Sequence, residues 1–259
     1  FRTVDPADGT ATVVRTGQAT AGFDNGAAGV AKFDAPQSVA PDAAGNLFVC
    51  DSGNHAVRKV DTGDVTSTIA GTGGTGSGDN VVGVLATFDN PYGIAIDSND
   101  YLYVPDNLNG KIKLIAPDGF TTTAVSGIAS LGVAVHPTSG DLYVTDFGAH
   151  YVWAYQTTPS APTAAPSAPA LAPLTWTAGS GAHAEVDGSL AAAAFAHPLG
   201  CAVDTVSSDI LMTVYSSHTI RRITYLGRAN HFIGTGVAAY ANGLGRLAGL
   251  SRPREMALA

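Results

Sequence analysis

The 259-residue chain has a formal net charge of −8, 31 glycines, 14 prolines and only 13% charged residues. Such material writes few long helices; Gly, Thr, Val and Asp broken at short intervals read as many short strands joined by turns, in one large all-β domain or two smaller ones. An acidic body repels phosphate, which argues against nucleic-acid binding as the main task.

The charge is uneven. Residues 1–219 carry 20 acidic and 7 basic side chains, whereas 220–259 carry Arg221, Arg222, Arg228, Arg246, Arg252 and Arg254 against Glu255 alone. No run reaches the roughly 18–20 apolar residues of a membrane span. No signal-peptide pattern is visible, and the sequence opens on Phe1 rather than Met, so it reads as a piece of a longer chain.

In chain order, Phe1-Arg2-Thr3-Val4-Asp5 and Thr10–Arg15 read as two short strands. A Gly-rich loop follows from Thr16, with an Asp24-Asn25-Gly26 turn and an apolar anchor at Phe33. Then comes the clearest copy of a repeat: Pro36-Gln37-Ser38-Val39-Ala40-Pro41-Asp42, Gly45-Asn46-Leu47-Phe48-Val49-Cys50-Asp51, and Asn54-His55-Ala56-Val57-Arg58-Lys59-Val60-Asp61. The outer strand of this copy is expected at Val65–Ile69. A second loop, Gly71–Phe88, leads to Pro91-Tyr92-Gly93-Ile94-Ala95-Ile96-Asp97, Tyr101–Asp106, Lys111–Ile115 and Thr121–Val125. The third copy has a connection of only Val125-Ser126-Gly127-Ile128, then Leu131–Val135, Asp141–Asp146 and Tyr151–Tyr155. The fourth follows the loop Gly179–Phe195 and reads Pro198–Asp204, Ile210–Thr213 and His218–Ile223. A last loop, Gly234–Leu250, precedes Pro253-Arg254-Glu255-Met256-Ala257-Leu258-Ala259, which aligns with an inner strand.

A step of about 40–50 residues holding four short strands is the signature of a β-propeller blade. Asn54-His55-Ala56 followed by Val57-Arg58-Lys59 resembles the NHL repeat, and the resemblance extends over nearly the whole chain. It implies an all-β fold, a β-propeller with four-stranded antiparallel blades, in a single domain over 1–259. Phe1–Asp5 aligns with Val57–Asp61, a third strand. The expectation is therefore four complete blades and one split blade, five or six in total. A sixth blade would lie outside the sequence, or a neighbouring chain would donate the missing strand.

Cys50 and Cys201 fall on different strand types in non-adjacent blades and are read as two buried thiols. Residues 157–173 are rich in Pro, Ala, Ser and Thr, a composition suited to an extended surface excursion. Its candidate sites for O-linked or hydroxyproline-linked glycans are Thr157, Thr158, Pro159, Ser160, Pro162, Thr163, Pro166, Ser167 and Pro169. No Asn-x-Ser/Thr acceptor occurs.

Enzymes of this fold place their groups at one channel mouth, on residues flanking each inner strand. The flanking positions here include Asn90, Tyr92, His197, Arg252 and Arg254, a candidate site for an anionic or sugar ligand. The zinc-dependent amidating lyases that resemble this family use three histidines at such a mouth; only His197 is so placed, and a zinc site needs three or four convergent ligands. No catalytic residue, metal ligand or cofactor is assigned. The loops lack the alternating oxygen spacing of a calcium motif. His55, His150 and His218 align at one turn, as do Asp51, Asp106 and Asp146, which reads as turn chemistry.

The expected function is a non-catalytic, extracellular interaction or structural module. Its acidic body and basic last quarter suit head-to-tail self-association into filaments. The alternative is a metal-dependent, lyase- or lactonase-like propeller enzyme, or a small-ligand binder using the same mouth. Protein partners and glycans are expected; nucleic acid and a membrane span are not.

Overall fold

Short apolar and β-branched runs, each ended by an Asp- or Gly-containing turn, fold into antiparallel meanders. The computed structural model describes residues 2–4, 11–14, 16–157 and 171–257. Strands β1 (Arg2–Val4) and β2 (Ala11–Val14) form a two-stranded hairpin. The first four-stranded sheet is β3 (Pro36–Pro41), β4 (Leu47–Asp51), β5 (Ala56–Val60) and β6 (Thr66–Ala70), in that order. The second is β7 (Ala95–Ile96), β8 (Leu102–Asp106), β9 (Lys111–Ile115) and β10 (Thr121–Ser126). The third is β11 (Ser130–Val135), β12 (Leu142–Asp146), β13 (Tyr151–Thr157) and β14 (Leu171–Ala178). The short β15 (Gly188–Ser189) joins the outer edge of the fourth, which continues as β16 (Pro198–Val203), β17 (Ile210–Val214), β18 (Thr219–Ile223) and β19 (Arg228–Ile233).

The sheets stack face to face in chain order. Phe48, Cys50 and Val57 of the first pack on Phe88, Ile94 and Leu102 of the second. Tyr103, Ile112 and Leu114 of the second meet Val133, Leu142 and Val144 of the third. Tyr143, Val152 and Ala154 of the third meet Phe195, Cys201 and Met212 of the fourth. The innermost strands β3, β7, β11 and β16 follow one another about a common axis. This is a β-propeller, with blades in the expected order.

Inner strands approach so closely that a side chain has no room at one repeated position. A Cβ on Gly93 would stand 2.6 Å from the Leu131 carbonyl oxygen. At Gly132 it would overlap the Leu199 carbonyl, and at Gly200 the Arg254 carbonyl. Hydroxyls lock two of these junctions, Thr145 donating to Leu199 O and Thr213 to Arg254 O, and Ser52 donates to Pro91 O between the first and second blades. The extended segment around Pro253–Glu255 thus occupies the inner-strand place beside the fourth blade. The β1–β2 hairpin of the expected split blade forms a two-stranded sheet of its own.

Thr157 at the end of β13 pairs with Leu171 at the start of β14. Thr157 is buried, and its hydroxyl donates to the Gly140 carbonyl at 2.7 Å. Thr158, Pro159, Ser160, Pro162, Thr163, Pro166, Ser167 and Pro169 lie outside the described residues. Cys50 and Cys201 are both buried free thiols, and burial raises their pKa values. No helix is long and apolar enough to cross a membrane among the described residues.

Candidate functional site at the channel mouth

In an antiparallel meander, alternate connections lie at opposite ends of the sheet. The long loops entering each inner strand and the turns between second and third strands therefore share one face, which holds the channel mouth. Its architecture rests on two repeated devices.

The first is a left-handed histidine. His55, His150 and His218 have φ of 49°, 65° and 56°. Each presents ring Nδ1 to the next blade. Asn90 N–H donates to His55 at 3.1 Å, His197 N–H to His150 at 3.4 Å and Arg252 N–H to His218 at 3.0 Å. The three accepted residues are themselves left-handed, with φ of 58°, 63° and 48°. Asn90, His197 and Arg252 therefore start their blades through a backbone clasp to the blade before.

The second device is a buried cation on the third strand. Arg58, Lys113 and Arg221 are all fully buried at equivalent register. Arg58 donates to Asp51 at 2.7 Å, to Asn25 at 2.8 Å and to the carbonyls of Asp24 and Lys32. Lys113 reaches Asp79 at 2.8 Å and the Gly78 carbonyl. Arg221 reaches Glu185 at 2.8 Å and Asp187 at 2.7 Å. The loop anchors Phe33, Phe88 and Phe195 stand 5.1–5.4 Å from these cations. The third blade, whose entering loop is short, has Trp153 there instead, donating to Asp146 at 3.2 Å.

Asp51 and Asp106 do more than cap a turn. Asp51 accepts the N–H of Asp34, and Asp106 that of Asp89, so each also fixes the incoming loop. Burial pushes both carboxyls up from their ordinary range, against the hydrogen bonds they accept. Sequence reading missed the cation because Arg58 sits in a run taken as apolar alternation; the signal was a Lys or Arg recurring in three copies that carry long loops.

At the mouth itself, four of the five expected site residues come together. Arg254 Nη1 donates to the Tyr92 hydroxyl at 2.9 Å. Arg252 and Arg254 lie over the Tyr215 ring at 5.5 and 5.7 Å. Tyr215 meets Phe147 edge-on at 6.2 Å, and Phe147 stacks on His197 at 4.4 Å. Asn90 joins this network by no side-chain contact among the described residues. His197 Nδ1 also hydrogen-bonds the Ser216 hydroxyl at 2.7 Å. The His150, His183 and His197 rings sit 4.6–5.1 Å apart, and burial together with mutual repulsion lowers the pKa of His150 and His197. Among the described residues, no three His, Cys, Asp or Glu side chains are placed to hold one metal ion. Glu255 on the last inner segment keeps an exposed surface, yet the protein packed around its carboxyl desolvates it and raises its pKa to about 7.

The arrangement offers two cations braced by aromatic rings, beside a histidine, at the rim of a channel. It can take a carboxylate or another anion through the guanidinium forks, and a ring or sugar face against Tyr215 and Phe147.

No protein-family model matches this chain, and no curated protein matches it in sequence. Solved structures do resemble it. An auxiliary nutrient binding protein from Bacteroides ovatus aligns at a TM-score of 0.61 and 17% identity, over 86% of this chain and 53% of that one. Virginiamycin B lyase from Staphylococcus aureus aligns at 0.51 and 13%, over 76% and 55%. A chain of the nidogen/laminin complex aligns at 0.56 and 15%, over 87% and 66%. The chain spans about half the length of the nutrient-binding protein and the lyase. Binding proteins and lyase- or lactonase-like enzymes thus share this fold with the chain, and at these identities the likeness is one of β-propeller architecture alone.

Proposed function

We propose that this chain is a non-catalytic, NHL-type binding propeller whose channel mouth takes a carboxylate-bearing ligand or an acidic surface of a protein partner. The observation that carries the reading is the convergence of Arg252 and Arg254 on Tyr215, with Arg254 also held by Tyr92. Both guanidinium groups are exposed and braced from below, which aims their free donors outward. Acidic sugars such as galacturonate, titrated calorimetrically, should release heat with the native protein and none with Arg252→Ala/Arg254→Ala. No heat from the native protein sinks the reading. A stoichiometric divalent ion in the purified protein would transfer it to the lyase- or lactonase-like class.

The acidic surface could belong to a second copy. The opposite face, built from the turns between first and second and between third and fourth strands, carries Asp42, Asp61, Asp64, Asp97, Asp100, Asp118 and Asp204. Cationic mouth against carboxylate face is a heterologous, head-to-tail contact that extends rather than closes. Extracellular placement and glycans on the Pro-rich segment complete this proposal. Light scattering should show size rising with concentration and falling with salt; a constant monomer would remove the self-associating form and leave ligand binding intact.

A further inference from the structure

Register places a cross-strand pair at the same point of each blade, on the face away from the mouth. The pairs are Phe48 with Lys59, Tyr103 with Leu114, Tyr143 with Ala154 and Leu211 with Arg222. Three blades fill this point themselves. In the first, Lys59 Nζ lies 5.5 Å over the Phe48 ring, in a cleft shared with Asp42 and Asp118 of the first and second blades. In the second, Leu114 is buried against the core. In the fourth, Arg222 lies 5.3 Å over Phe232 and 3.7 Å from Asp209.

The third blade keeps an aromatic ring and a carboxylate but supplies no cation. Ala154 is short, and β14 bulges opposite it, so Trp176 leans in and stacks on Tyr143 at 5.9 Å. What remains is a cavity of about 400 Å³ between the third and fourth blades, lined by Asp141, Tyr143, Trp176 and Leu190 and rimmed by Tyr225 and Leu226. The rim residues are 79% and 86% exposed, although the turn bearing them is fixed by Tyr225 N–H donating to Asp209 at 2.9 Å. Burial and the nearby Asp141 charge together push the Tyr143 hydroxyl up to about 12.

We infer that this cavity is a binding site for an alkylammonium group, which takes between the third and fourth blades the place that Lys59 takes between the first and second. Three aromatic rings and one carboxylate around a cavity of this size form a cage for a cation with an apolar shell. The stacked Tyr143 and Trp176 line it, Tyr225 stands at its rim, and Asp141 supplies the counter-charge. A wholly apolar ligand would leave the Asp141 charge, which among the described residues the Ser139 hydroxyl alone contacts at 2.8 Å, without a cation opposite it. The site lies at the other end of the blades from the arginine mouth, so its fate is independent of the reading given above.

Choline chloride is the probe, and the indole N–H signals of the two tryptophans are the readout. Choline should shift the Trp176 signal saturably, with a dissociation constant on the order of millimolar. The neutral isostere 3,3-dimethylbutanol and sodium chloride at matched ionic strength should not. Asp141→Asn should weaken binding about tenfold, the equivalent of some 1.4 kcal/mol. Ala154→Lys, which installs the cation the first blade already has, should abolish the response. Equal binding of the neutral isostere, an unshifted Trp176 signal, or undiminished choline binding by Ala154→Lys would each overturn the assignment. Should Trp176→Phe, used to assign the signal, fail to fold, the Asp141 and Ala154 variants still decide.

Discussion

Arg58 and Asp51 are both wholly buried and 2.7 Å apart, and each is the other's opposite charge. Truncating one partner of such a pair leaves an uncompensated charge in the interior. Arg58→Ala should lower unfolding free energy by about 3–5 kcal/mol in a denaturant titration. Asp51→Asn in that background should recover part of the loss, because it removes the stranded charge.

The histidines carry a pH prediction at the same scale. His150 and His197 have depressed pKa values, so folding favours their neutral forms. The stability they contribute is fully present above the unfolded value near ~6.5 and is lost as pH falls through the folded values. Protonated His150 would also turn its Nδ1 from acceptor to donor and face the His197 N–H with another N–H. Glu255 works against this trend. Its raised pKa means the folded state holds the proton more tightly, so its contribution is lost as pH rises from about 4.5 towards about 7. Melting temperature followed from pH 7 downwards should therefore drop more steeply in Glu255→Gln than in the native chain. A steeper fall in the native chain would refute the assignment of signs.

Among the elements, the inner strands set how near the blades come to the axis. Gly132→Ala must push the third and fourth blades apart, since its Cβ meets a backbone carbonyl that cannot swing away. A loss of about 1–3 kcal/mol is expected from such overpacking, whereas Gly29→Ala, with nothing near its Cβ, should melt like the native protein. The loop anchors act at this scale too. Phe88 is fully buried beneath Lys113, and Phe88→Ala should cost about 3–5 kcal/mol.

For the whole molecule, polarity is the controlling property. The net charge of −8 is concentrated in turns on one face and in loops whose carboxylates are already paired with buried cations. Arg252 and Arg254, both exposed, lie at the opposite mouth. Binding of acidic ligands at that mouth should weaken as ionic strength rises through ~0.15 M, where the Debye length is about 8 Å. The Lys113–Asp79 pair, with its ammonium buried, should be far less sensitive.

The blade order, the four-strand meander and the mouth positions were legible because each is local: alternation of apolar residues, Asx and Gly turns, and a repeating step between Pro36, Pro91 and Pro198. Repetition also exposed His55, His150 and His218 as one turn. What it could not show was where their rings point, since the partner N–H groups lie some 34–47 residues away in the next blade. The buried role of Arg58, Lys113 and Arg221 was hidden for a related reason. A cation reads as exposed unless the loop that surrounds it is seen folded back, and that return is decided by long-range hydrogen bonds. The cage at Ala154 is the extreme case: a small residue carries no signal of its own. Its meaning comes from Trp176, Tyr143 and Tyr225, which only the packing of two blades brings to one cavity. Periodic local chemistry thus determined the elements and their order, whereas the contacts between non-adjacent segments, unreadable in any single repeat, decided which side chains face one another.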